Sequence, residues 1–204
     1  MDIGANIGWF TKVLSDLVGA HGYVRSFEPV LLTFKLLSSN VKELKLENVL
    51  LYNFALSDRD GTSYMEIPLF ENCDKSFYMA RLIDSNEQIT NNKVCEVAMK
   101  SADNLLADSL SSVSFIKCDV EGHEYHVIKG AKKLLLKHEP ALLIEMTQNM
   151  DDQQTESFKL LRYLQNLGYD AFYVKDDTLK KHALGDNAVD YFFHKAEHLA
   201  MLEN

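Results

Sequence analysis

The sequence predicts an α/β chain with a mostly parallel sheet, and three observations carry that prediction. Strand-like and helical apolar patterns alternate along most of the 204 residues. A glycine-punctuated turn, Gly4 to Gly8, joins the first strand-like residues to the first helical pattern. Carboxylates stand just past several strand ends, at Glu28, Asp119 and Glu145. Alternation of this kind implies right-handed crossovers, with ligands bound at the carboxyl ends of the strands.

Residues 1–3 supply the first strand, and Ile7, Phe10, Val13, Leu14, Leu17 and Val18 recur at helical spacing after it. Residues 23–27 read as a strand closed by Glu28, and Phe34, Leu37, Val41 and Leu44 as the apolar positions of a second helix. Residues 49–56 form an apolar strand ended by the turn Asp58-Arg59-Asp60-Gly61. Over 62–100 the pattern changes, since Tyr64, Glu66, Pro68 and Asn72 interrupt the apolar runs; an antiparallel ribbon with a strand over 93–99 is expected. A brief helix over 103–110 precedes a buried strand at 113–118. The next helix, 124–137, carries Val127, Ile128, Ala131, Leu134 and Leu135 on one face, and Pro140 introduces a strand over 141–146. A helix through Phe158, Leu161, Leu164 and Leu167 stops at Gly168, and strands over 169–175 and 189–194 finish the fold.

Composition bounds the class. An apolar fraction of 47% with 25% charged residues suits one soluble globular domain spanning the chain. No run approaches the ~18 apolar residues of a membrane span, and no signal-peptide pattern opens the chain. Cys73, Cys95 and Cys118 lack zinc or redox spacing, which points to reduced thiols and a cytoplasmic location. A net charge of −9 argues against nucleic acid as a partner. Lys129, Lys132, Lys133 and Lys137 read as a solvated helix face.

The opening turn has the spacing D-x-G-x-x-x-G, and Glu28-Pro29 follows twenty residues past Gly8. Gly4 permits the sharp turn, Gly8 a close helix approach, and Glu28 can accept both hydroxyls of a ribose. Fewer bare amides are offered than in a dinucleotide loop, and a carboxylate stands where a diphosphate would be repelled. A ligand with a ribose and a positive centre fits better, and S-adenosylmethionine (SAM) is such a ligand. The polar residues at strand ends, Asp2, Glu28, Asn53, Ser57, Asp119, Glu121 and Glu145, are the site candidates. Five of them are carboxylates, which together call for a cationic ligand, a metal or both.

The ordered set Asp2-Ile-Gly-Ala-Asn-Ile-Gly8, Ser26-Phe-Glu-Pro29, Ala55-Leu56 with Asp58 and Gly61, Ile116-Lys-Cys-Asp-Val-Glu-Gly122, Lys129-Gly-Ala131 and Pro140 to Glu145 closely resembles the FkbM family of SAM-dependent methyltransferases. The resemblance covers residues 2 to about 146. It implies a Rossmann-like class I methyltransferase sandwich with an antiparallel C-terminal strand, and O-methylation of a hydroxyl on a sugar, glycan or natural product. It also implies that Asp2, Gly4, Ala5, Asn6 and Gly8 line the methionine part of SAM. Glu28 and Pro29 then hold the ribose, Asn53, Ala55, Leu56 and Ser57 flank the adenine, and Asp119 to Glu121 border the methyl and the acceptor.

A sugar hydroxyl needs a base or a metal to weaken its O–H bond. Asp119, Glu121 and His123 are the catalytic candidates, with Glu145 a further candidate base. His123 and His126 share a helix face but lack a third ligand for zinc. Asp119 with Glu145 could instead hold magnesium. Lys117 inside a buried strand is expected to pair with a neighbouring carboxylate. The expected partners are a small-molecule or glycan acceptor and, as an option, a second copy of the chain. The chain departs from the family in one respect: only residues 1–3 stand where a whole central strand precedes the glycine turn. Either the true start lies upstream, or this is a shortened member with a weakened cofactor site. The competing reading is therefore a catalytically weak or inactive binding or assembly module on the same fold. The shortened strand is expected to pair its neighbours only around residues 1–3, their far ends being loosened or filled by another segment or chain.

Overall fold

The structure, a computed structural model, describes residues 1–67, 80–83, 93–106, 112–186 and 188–202. They fall into two compact units, Met1–Ser101 and Ala102–Asn204. The first unit runs β1 (Asp2–Ile3), α1 (Trp9–Val18), a 3-10 turn (Gly19–His21), β2 (Val24–Phe27), α2 (Leu31–Glu43), β3 (Val49–Tyr52), β4 (Ala55–Ser57), β5 (Gly61–Ile67), β6 (Arg81–Ile83) and β7 (Lys93–Ser101). β1, β2 and β3 are parallel neighbours. β1 is short, so it lies opposite only Ser26 and Phe27 of β2, whereas β3 runs along all of β2.

The expected strand over 49–56 is two strands belonging to different sheets. Asn53 breaks it: its side-chain amide donates to the carbonyls of Glu28 and Pro29 at 2.9 and 3.0 Å, holding the chain at the end of β2. The rings of Phe27, Tyr52 and Phe54 pack around that corner. β4 then pairs in parallel with β7, and β7 pairs antiparallel with β5, which is followed by β6. This is the expected antiparallel ribbon; Pro68 and Asn72 lie outside the described residues, as does Cys73.

α1 overturns the periodicity reading. Phe10, Val13, Leu17 and Val18 are exposed, and the buried residues of α1 are Thr11, Leu14 and Ser15. Hydrogen bonding explains the reversal. Thr11 bonds to Asp2 and Ser26, while the Ser15 hydroxyl donates to Asn48 Oδ1 at 2.6 Å. Polar residues can face a sheet when the sheet offers them partners.

The second unit runs α3 (Ala102–Leu106), β8 (Phe115–Cys118), α4 (Glu124–Lys129), α5 (Lys132–His138), β9 (Ala141–Glu145), α6 (Glu156–Asn166), β10 (Asp170–Lys175), β11 (Thr178–Lys181), β12 (Asp190–His194) and α7 (Ala196–Leu202). β8 and β9 are parallel, and β12 inserts antiparallel between β9 and β10. The antiparallel C-terminal strand is thus present. The expected helix over 124–137 is two helices with a break at Gly130 and Ala131. Asp103 stabilises the break: its amide donates to the Gly130 carbonyl at 2.9 Å, and its carboxylate accepts the amides of Lys133 and Leu134 in the first turn of α5. All five apolar positions expected on this face are buried. α6 begins at Thr155, whose hydroxyl accepts the Phe158 amide, and Gly168 follows its end with φ 86°. β11 and α7 were not expected. Asp176 and Asp177, at φ 51° and 55°, form the two-residue turn that folds β11 back on β10.

Candidate functional site

In the first unit, the glycine turn is fastened to the end of β2 by backbone bonds. Gly4 takes φ 74°, and the amides of Gly4 and Ala5 both donate to the Phe27 carbonyl, at 3.1 and 3.0 Å. Asn6 takes φ 50°, and its amide donates to Glu28 Oε2 at 3.1 Å. The other carboxylate oxygen of Glu28 accepts the Val30 amide at 2.9 Å. Glu28 is only 6% exposed, so it organises the turn as well as lying beside it. Gly8 has φ 99°, and a Cβ there would come within 2.7 Å of Leu37 Cδ1. The close approach that requires this glycine is therefore to α2. Asp2 is fully buried beneath the turn and accepts a hydrogen bond from Thr11.

The residues of this turn fit SAM. The Glu28 carboxylate offers acceptor oxygens at the end of β2, the function a ribose diol calls for. Asn6 Oδ1 is buried without a hydrogen-bond partner among the described residues, an acceptor of the kind a bound ammonium or hydroxyl would satisfy. Pro29 and Asn53 shape the β2 corner. Ala55, Leu56 and Ser57 are buried in β4 and lie opposite Met99, Lys100 and Ser101 of β7.

In the second unit, the loop after β8 and the end of β9 gather carboxylates. Oxygens of Asp119, Glu121 and Glu145 lie within 4.8 Å of one another. Glu121 sits at φ 54° and Gly122 at φ 95°, so the loop turns sharply before α4. Glu124, which sequence reasoning passed over, holds that turn by accepting the amides of Val120 and Gly122 at 3.1 and 3.0 Å. Its acidity two residues past a glycine at a helix start was the available signal. Lys117, buried as expected, pairs with Asp119 at 3.1 Å. Burial, then the Asp119 and Glu121 charges, push the Glu145 carboxyl up to about 7. Burial also raises Glu121, with Asp119 and Glu124 adding to it, and raises Asp190, the β12 residue opposite Glu145. His123 stacks on His126 with ring centroids 4.8 Å apart and is not one of the gathered carboxylate group. The Cys118 thiol, fully buried, is pushed up by desolvation and so is a poor nucleophile.

The family described as the methyltransferase FkbM domain matches residues 2–171. The chain belongs to that family. Among solved structures, an FkbM methyltransferase from Methylobacillus flagellatus is similar at 16% identity and TM-score 0.56, covering 95% of this chain and 42% of its own. A candidate rRNA methylase from Clostridium thermocellum is similar at 12% identity and TM-score 0.51, covering 94% and 84%. A SAM-dependent O-methyltransferase from Thermotoga maritima gives 16% identity and TM-score 0.46, over 95% and 57%. No curated protein matches. The FkbM chain described here spans about two fifths of the length of the first of these structures. Its fold is that of class I methyltransferases, and no described helix is long and apolar enough to cross a membrane.

Proposed function

We propose that this FkbM-family chain transfers the methyl group of SAM to a hydroxyl oxygen of a sugar, glycan or natural product. The observation that carries the cofactor half is the buried Glu28 carboxylate, bonded to both the glycine turn and the start of α2. The acceptor class rests on the family resemblance. When bound, SAM supplies an electrophilic methyl on a sulfonium that leaves as a neutral thioether. Glu28 accepts the ribose hydroxyls, Asn6 Oδ1 receives the polar methionyl end, Asp2 supports the turn from beneath, and the Asn53 to Ser57 segment flanks the base.

Glu145 takes the acceptor's hydroxyl proton as the new C–O bond forms. A carboxyl near 7 is matched to that task at neutral pH, being unprotonated in a useful fraction yet basic enough to accept. Lys117 pairs with Asp119, and Asp119 adds to the burial that raises Glu145. Glu121 lies within the same cluster, and His123 stands aside from proton transfer.

A second reading is carried by the spacing of Asp119, Glu121 and Glu145. A hard divalent ion such as magnesium would neutralise these oxygens and polarise the acceptor oxygen itself. Titration calorimetry with SAM and its demethylated product tests the cofactor half, and absence of heat with both would leave the binding-module alternative standing. A methylation assay against glycan acceptors, run with EDTA and then with magnesium restored, separates the two catalytic readings. Loss and recovery would support the metal, and indifference would support Glu145 alone.

A further inference from the structure

The lysines that read as a solvated helix face are not all alike in the fold. Lys133 and Lys137, one turn apart on α5, rim a cavity of about 270 Å³ lined by α3 and α5. Ala102, Leu106 and Leu134 give it a buried apolar lining, and the half-buried His138 extends its basic rim. Within the chain this placement is unfavourable. Lys133 stands in the first turn of α5, where the helix dipole repels a cation, and Lys137 is a like charge four positions on. Neither lysine makes an ion pair among the described residues. Asp103 is the one acid in the lining, and its two oxygens already accept the Lys133 and Leu134 amides. Exposed lysines tolerate such repulsion cheaply when water surrounds them. What sets these two apart is the apolar cavity between them and the core.

We propose that this cavity binds a small anionic amphiphile, a carboxylate or phosphate head on a short apolar chain. The head sits between Lys133 and Lys137 and relieves their repulsion, and the chain lies against Ala102, Leu106 and Leu134. A volume of about 270 Å³ takes roughly ten non-hydrogen atoms at ~30 Å³ each, the size of an eight-carbon fatty acid. A chain of net charge −9 offers anions few other places to settle. The basic rim ends at His138, ahead of β9, while Glu145 closes β9 at its far end. The site is therefore separate from the carboxylate cluster, and it does not depend on the SAM reading.

The test is calorimetry on the full chain with octanoate and with octyl phosphate, each below the concentration at which it forms micelles. At least one should bind, and the stronger of the two identifies the head group. Removing two methylenes from that ligand should weaken it about tenfold, since each buried methylene is worth about fourfold. Octanol, which keeps the chain and loses the charge, should bind at least about fivefold more weakly. Lys133→Gln combined with Lys137→Gln should weaken the anion by about fivefold or more, the scale of two ion pairs at a rim, and leave SAM affinity unchanged. Both lysines are exposed, so the double variant keeps its fold. Absence of binding by both anions would overturn the proposal. So would octanol binding as tightly as the anion, or a double variant with wild-type affinity. A chain that takes octanoate or octyl phosphate but not SAM would sink the cofactor reading and leave this site standing.

Discussion

A carboxylate at the end of a strand is ordinarily solvated, and its removal costs a fold little. The structure makes Glu28 the joint between the glycine turn and α2, buried and accepting two backbone amides. Glu28→Ala should therefore act twice. SAM binding should weaken by about 1.5–3 kcal/mol, and the unliganded chain should lose about 1–3 kcal/mol for each amide stranded without water. Calorimetry measures the first and urea denaturation the second; a variant with full stability would refute the joint. Glu145 offers a test by pH. Its carboxyl is raised from 4.5 to about 7, so across that window the folded chain holds a proton that the unfolded chain has released. Stability should fall as pH rises through the window and level off above it. Glu145→Gln should flatten that fall, gaining most over wild type near the alkaline side. Equal slopes in the two proteins would show that Glu145 is not the group concerned. The glycines, Asp2, Glu28 and the strand-end acids were readable because each is a rare residue type at a defined offset. Thr11, Ser26 and Glu124 were not, because their importance lies in which atoms they face.

Among the elements, the junction between α4 and α5 has the clearest single support. A continuous apolar face runs through both helices, so periodicity alone joins them. What separates them is Asp103, thirty residues distant from Lys133, whose carboxylate caps the amides that open α5. Asp103→Ala should destabilise the chain by about 0.5–2 kcal/mol, as loss of an N-terminal helix cap does elsewhere. Urea denaturation would show it, and an unchanged midpoint would mean that α5 stands without its cap. A side chain that caps from a distant element leaves no trace in a local window, and the break was invisible for that reason. β11 was missed for a different one. Its turn uses Asp176-Asp177 where glycine or asparagine would be the readable signal, and its strand residues are all exposed, so no alternation marks it. α1 misled because its apolar spacing is genuine and describes the outward face.

At the scale of the whole molecule, the alternation of strands and helices was enough to place the chain in its class, since parallel ladders need crossovers wherever they occur. The family match over residues 2–171 and the structural likeness at TM-score 0.56 agree with it. Binding to the folded state alone must stabilise the whole. SAM at one hundred times its dissociation constant should add about 2.7 kcal/mol, which for a chain of this size is a rise of roughly 5–10 °C in melting temperature. A member of the family that had lost its cofactor would show no rise, so a melting curve with and without SAM separates a chain that binds SAM from one that does not.

The reversed face of α1 has a spectroscopic consequence. Trp9 is the only tryptophan in the chain, the first residue of α1 and the neighbour of Gly8, and it is 76% exposed. An indole already in water emits at long wavelength before any denaturant is added. Unfolding will scarcely redden it, and tryptophan emission is the wrong optical monitor of this protein's collapse. The same indole stands beside the turn assigned to the cofactor, where adenosine is a ready quencher. Its intensity, rather than its colour, is the signal that should report an occupied turn.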